Sequence, residues 1–142
     1  MHLTCTVIEQ HIDIVLVDRD LLKGHEEVIQ DNLQIRLSKM RVSGFYKPII
    51  VDASTMIILD GHHKCTAAAL LNLDRVPVIL VDYLGDESID VDVWPSCGRE
   101  SITKQEVIEM GLSDEVFPPK TSRHSFAFDV PSIHIPLKDL RS

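Results

Sequence analysis

Three short stretches of this chain hold residue types that could do chemistry. The first is Asp60-Gly61-His62-His63-Lys64, which sits between the apolar runs "MIIL" and "TAAALL". A glycine at a strand-to-helix turn lets backbone or ligand come close. The first amides of a helix lack intrahelical partners and lie at its electropositive end, so they suit an anion. His62, His63 and Lys64 would add donors there, and Asp60 would stand at the edge, where a carboxylate serves a metal ion or a proton. The second stretch is His25-Glu26-Glu27. The third is Pro118-Pro119-Lys120-Thr121-Ser122-Arg123-His124, a stiff segment with three potential cations and two hydroxyls. Trp94, the only tryptophan, is either core or an apolar pocket wall.

Each stretch has a plainer reading. Adjacent histidines on a helix diverge by about 100°, so both rarely reach one zinc ion, but a purely structural polar turn stays open. Glu26 and Glu27 could do no more than complement a helix dipole. The basic stretch could be an exposed loop.

The elements that would position these residues can be read from periodicity. Residues 12–18, "IDIVLVD", form a β-branched run that reads as a buried strand. Ile29, Leu33, Leu37 and Met40 define a helical face, in a helix that Gly24 precedes and Gly44 follows, with Glu26 and Glu27 in its first turn. "KPIIVD" and "TMIILD" are short strands joined by the polar turn "DAST". Residues 56–83 then read as strand, tight turn, helix, strand. "ESIDVDVW" alternates like a half-exposed strand. Thr103 and Glu106 form a capping box for a further helix that Gly111 would close. "SIHIPLKDL" is expected to add an edge strand, with Pro136 tolerated only at an edge. The fold class is α/β (α+β): a mixed sheet with flanking helices in a single domain over residues 1–142.

Composition narrows the partners. With 14 Lys and Arg against 22 Asp and Glu, the formal net charge is −8. Such a field repels nucleic acid and anionic membranes, so neither is expected as a partner. No apolar run approaches the ~18 residues that span a bilayer. The first twenty residues have no basic segment and are interrupted by Glu9 and Asp13, so they do not read as a signal peptide, and a cytoplasmic protein is expected. Cys5, Cys65 and Cys97 are odd in number and far apart, which argues for buried small hydrophobes and against disulfides.

Taken together, these stretches resemble the free L-serine kinase branch of the ParB/sulfiredoxin superfamily. "GHHKCTAAALLNLDRVPVILVD" resembles the superfamily's phosphate-holding box. "KGHEE", "FYKPIIVD", "DGHHK", "VDVWP" and "FPPKTSRHSF" are similar, in order, to five segments of the serine kinase branch. The resemblance implies that Glu26 is the base that takes the serine hydroxyl proton. It implies that Asp60 works beside it at phosphate and magnesium. Gly61, His62, His63 and Lys64 would bind the nucleotide phosphates. Trp94, Lys120, Thr121, Arg123 and His124 would hold the amino acid and the transferred phosphate. The implied partners are L-serine, Mg²⁺ and ATP or ADP, with ATP favoured as donor; oligomeric state is left open. Three departures stand out. Lys64 replaces the branch's arginine, Ser122 replaces its second threonine, and only "PSCGRESI" joins the tryptophan strand to the following helix. The alternatives are a ParB-like nucleotide-binding module acting on DNA, which would want a basic face, and a sulfiredoxin-like reductase, which would want a cysteine in the phosphate turn.

Overall fold

The computed structural model describes residues 2–7 and 10–142, with side chains from Ile12 onward. The chain forms β1 (His2–Val7), β2 (Gln10–Asp18), α1 (Gln30–Ser43), β3 (Ile49–Asp52), β4 (Ile58–Asp60), α2 (His62–Leu70), β5 (Arg75–Val81), β6 (Asp90–Val93), α3 (Lys104–Leu112) and β7 (Ser122–Ser125). Single 3-10 turns lie at Arg19–Leu21 and Leu137–Leu140.

Five strands make one mixed sheet in the order β1-β2-β5-β3-β4. The β3–β5 pair is parallel, in the register Ile49↔Val78 to Asp52↔Val81, and the other pairs are antiparallel. A parallel pair needs a crossover, and α2 supplies it. All four residues of β3 are buried, because the sheet is covered on both faces. The period of two sorts them. Ile49 and Val51 join Ile58, Val76 and Val78 against Leu33, Leu37 and Met40 of α1 and Ala67 and Ala68 of α2. Ile50 joins Ile57, Leu59 and Ile79 on the other face, against Val107 and Ile108 of α3 and Phe117. The β3–β4 turn is tied down by the buried Asp52. Its Oδ2 accepts from the Thr55 amide and hydroxyl, at 3.1 and 2.6 Å, and its Oδ1 from the Tyr83 amide at 3.2 Å. β6 and β7 form a separate antiparallel ribbon that sets Asp92 opposite Arg123.

Several expectations need correction. α1 begins at Gln30, with the extended Ile29 as its cap, so Glu26 and Glu27 precede the helix. Their backbone is claimed elsewhere: the Phe117 amide donates to His25 O at 2.8 Å, and the Glu27 amide to Phe117 O at 2.9 Å. Gly111 does not close α3, which keeps its capping box and runs to Leu112. A Cβ on Gly111 would come within 2.7 Å of Ile57, so the glycine allows helix and sheet to touch. The expected C-terminal edge strand is one bridge, Phe45–Ile135, because Pro136 has no amide to extend it. Part of the basic loop is strand β7. Of the cysteines, Cys65 and Cys97 are free and only half-buried, and the side chain of Cys5 lies outside the described residues.

Candidate active site

β4 ends on the exposed Asp60, and α2 starts two residues later. Gly61 makes the turn with φ +114° and ψ 25°. Among the described residues no side chain caps the helix, so its first amides remain open to a ligand. α2 carries Lys64 inward. Its ammonium donates to Pro48 O at 3.3 Å, and burial pushes it down to about 8.

The two histidines hold backbone partners that the sequence did not announce. His62 Nε2 accepts the amide of His25 at 3.1 Å, and His63 Nε2 accepts the amide of Ile29 at 2.9 Å. A ring nitrogen that accepts is unprotonated, so each ring holds its proton on Nδ1. Burial pushes both imidazoles down, His62 well below its ordinary range. They are therefore neutral clasps. They fasten residues 25–29, and with them Glu26, to the start of α2.

Glu26 is fixed from its other side as well. Its Oε1 accepts the amides of Thr121 and Ser122, at 3.2 and 2.8 Å, and the Ser122 hydroxyl at 3.0 Å. The Ser122 hydroxyl also lies 3.0 Å from His25 Nε2. No contact of Oε2 is found among the described residues. One carboxylate oxygen is thus saturated and the other is available.

Beyond β6, the Trp94 indole donates to Ser122 O at 3.1 Å. Two cations flank its ring, Lys120 Nζ at 5.5 Å and Arg123 at 5.0 Å from the centroid. His124 Nε2 pairs with the Tyr83 hydroxyl at 2.8 Å.

These parts face one cavity of about 570 Å³. Glu26, Asp60, Gly61, His62, His63, Lys64, Trp94, Lys120, Arg123 and His124 all line it. Thr121 does not. It is 2% exposed, and its hydroxyl donates to Pro118 O at 2.7 Å, so it shapes the floor under Glu26. Ser122, a hydroxyl of the third stretch, lines it too, and sequence reasoning missed Asn32, Arg36, Lys39, Tyr46 and Lys47, which also line it. Asn32, Arg36 and Lys39 stand at helical spacing beside the apolar face of α1, and that polar stripe was a usable signal.

The buried rings carry a consequence for stability. Burial pushes His25 down to about 4 and His124 to about 3. Between the ordinary value of 6.5 and those values, the unfolded chain binds protons that the folded chain refuses. Stability must then fall as pH drops through that window, by about 1.4 kcal/mol per pH unit for each ring kept neutral. We expect a clearly lower melting temperature at pH 5 than at pH 7.5, measured by circular dichroism. A flat melting temperature over that range would contradict the neutral, buried rings.

No family model matches the chain. An ATP-dependent L-serine kinase of Staphylothermus marinus is 33% identical over 113 residues, covering 75% of this chain and 44% of that protein. An ADP-dependent L-serine kinase of Thermococcus kodakarensis is 27% identical over 128 residues, covering 82% of this chain and 52% of that protein. The chain thus spans about half the length of these curated relatives. A free serine kinase solved with AMP superposes with a TM-score of 0.81 over 91% of this chain and 94% of that one, at 20% identity. The fold is that of free serine kinase. Sequence and fold comparisons thus fall on the same branch that the motifs resemble. Among the described residues, no helix is long and apolar enough to cross a membrane.

Proposed function

We propose that this protein is a kinase of free L-serine, transferring the terminal phosphoryl group of ATP or ADP to the serine hydroxyl to give O-phospho-L-serine. The observation that carries the reading is Glu26. Its anchored carboxylate faces the same cavity as the uncapped start of α2.

Phosphoryl transfer asks a protein for positioning and for charge neutralisation, and little else. The open amides at Gly61–Lys64 are the seat for donor phosphates, at a helix end that favours negative charge. Lys120 and Arg123 beside Trp94 would hold the amino-acid carboxylate, and Arg can do so with two parallel bonds. A serine hydroxyl held against Glu26 Oε2 would lose its proton there as its oxygen attacks phosphorus.

Mg²⁺ belongs to the proposal. Among the described residues, no cluster of three or more His, Cys, Asp or Glu is placed to hold a metal. Mg²⁺ does not need one, since it commonly uses one or two carboxylates with phosphate oxygens and water. Asp60 fits, being exposed at the cavity edge with the buried Lys64 ammonium as its charge neighbour. The ion would neutralise charge on the transferring phosphate.

The test is a donor-by-acceptor matrix: ATP or ADP with Mg²⁺, against L-serine and other small alcohols, read by phosphorus NMR. Phosphoserine with at least one donor is expected. No product in any combination would defeat the proposal and favour a nucleotide-binding module without kinase activity.

A further inference from the structure

His25 precedes the proposed base in the chain, yet no step above uses its ring. The residue is fully buried. Three other rings pack edge-on against it: His62 at 4.5 Å between centroids, His124 at 6.0 Å and Phe117 at 6.3 Å. Its backbone is pinned as well, the amide by His62 Nε2 and the carbonyl by the Phe117 amide. A ring caged in this way has little room to turn, so its two nitrogens keep fixed neighbours. Nε2 lies 3.0 Å from the Ser122 hydroxyl. Nδ1 is buried and has no hydrogen-bond partner among the described residues.

Counting protons then decides the tautomer. A hydroxyl has one proton to give. Ser122 Oγ stands 3.0 Å from Glu26 Oε1 and 3.0 Å from His25 Nε2. A hydrogen bond to an ionised carboxylate is about twice as strong as a neutral one. Ser122 therefore donates to Glu26, and towards His25 it can only accept. His25 must carry its proton on Nε2. The unpartnered Nδ1 agrees with this, since a bare nitrogen needs no acceptor. A proton there would find only the Ile58 carbonyl, whose pull burial outweighs, and the ring stays neutral down to about pH 4. His62 and His63 hold their protons on Nδ1, so His25 is the opposite tautomer.

We infer that His25 is a positioning residue for the base: its Nε2–H turns the Ser122 hydroxyl onto Glu26 Oε1. The hydrogen bonds run in one direction, from imidazole to hydroxyl to carboxylate. They keep Oε1 occupied and leave Oε2 for the substrate proton. Without the His25 N–H, the Ser122 hydroxyl is free to rotate, and Oε1 keeps only the Thr121 and Ser122 amides. The task given to Glu26 rests on the kinase reading; the tautomer of His25 does not.

The first measurement needs no variant. Two-bond proton–nitrogen NMR spectra of the intact protein, ¹⁵N-labelled at histidine, read the tautomer of each ring at pH 7.5. His25 is expected in the Nε2–H form and His62 and His63 in the Nδ1–H form, and the signals lost in His25→Gln assign His25. The second measurement is kinetic. His25→Phe keeps an aromatic ring and removes both nitrogens. Its kcat for L-serine is expected to fall roughly 10-fold, the factor for one charge-assisted hydrogen bond, with both KM values within a few-fold. His25→Gln can place an amide N–H near the position of Nε2, and it should recover most of that loss. In a Ser122→Ala background the connecting hydroxyl is gone, so His25→Phe should cost nothing further, because residues that act as a unit are not additive.

An Nδ1–H tautomer at His25 would overturn the inference, since Ser122 would then donate to His25 and not to Glu26. So would a His25→Phe loss of kcat that is undiminished in the Ser122→Ala background, which is what a purely structural ring would give. The NMR result decides the matter even where His25→Phe does not fold. An Nε2–H tautomer in a protein inactive in the donor-by-acceptor matrix would uphold the His25–Ser122–Glu26 chain and remove only the kinase reading.

Discussion

Glu26→Gln is expected to lower turnover of L-serine by about 10²–10⁴-fold while leaving the fold intact, the loss typical of removing a placed general base. The substitution keeps the side chain's length. A glutamine carbonyl at the Oε1 position can still accept the Thr121 and Ser122 amides and the Ser122 hydroxyl. What changes is the second oxygen, which becomes an amide unable to take a proton at neutral pH. Melting temperature and nucleotide KM should therefore stay close to those of the parent protein. Glu26→Ala is a less clean experiment, because it also strips the partner from two backbone amides at about 1–3 kcal/mol each. Phosphorus NMR of the Gln variant, run beside a thermal melt, decides the point. Turnover near that of the parent would remove Glu26 from the role of base.

The parts of this site that could be read in the sequence are those whose cause is local. "DGHHK" announces a tight strand-to-helix turn, because a glycine between a strand and a run of alanines has few other uses. The β3–β4 turn and the capping box of α3 are likewise written in neighbouring residues. The errors share the opposite cause. "GHEEV" resembles a helix start because the competitors for its backbone are distant: Phe117, 91 residues beyond Glu26, and His62 and His63, 37 and 34 residues from their donors. The same distance hid the real work of the two histidines. Their types suggested donors for phosphate, and only the packing of residues 25–29 shows that each also accepts a backbone amide. β7 was missed because "SRHS" has no apolar alternation, and it is a strand by virtue of pairing with β6. The α1 stripe is a different case. Its spacing was visible, but a polar helix face ordinarily means solvent, and a cavity opposite it is a tertiary fact.

Gly61→Val is expected to cost both stability and phosphate binding, and a second glycine separates the two effects. At φ +114° an L-residue is strained wherever it sits, by about 1–3 kcal/mol. A Cβ here would also lie 3.1 Å from Ile49 Cγ1 and 3.4 Å from Ile49 Cα. Ile49 is fully buried in β3, so it can yield only by moving sheet or helix, an overpacking cost of about 1–3 kcal/mol. Together these predict a fall in melting temperature of roughly 10 °C for a chain of this size. The displaced element would be the start of α2, whose open amides are the proposed phosphate seat. Affinity for ATP should therefore fall by at least 10-fold at temperatures where the variant is still folded. Gly98 also has a positive φ, +86°, but a Cβ there meets nothing within 4 Å. Gly98→Val should carry the strain without the clash, losing some stability and keeping nucleotide affinity. If Gly61→Val, held well below its melting temperature, bound ATP as tightly as Gly98→Val, then the turn at Gly61 would be a structural hinge, and the phosphates would have to sit elsewhere.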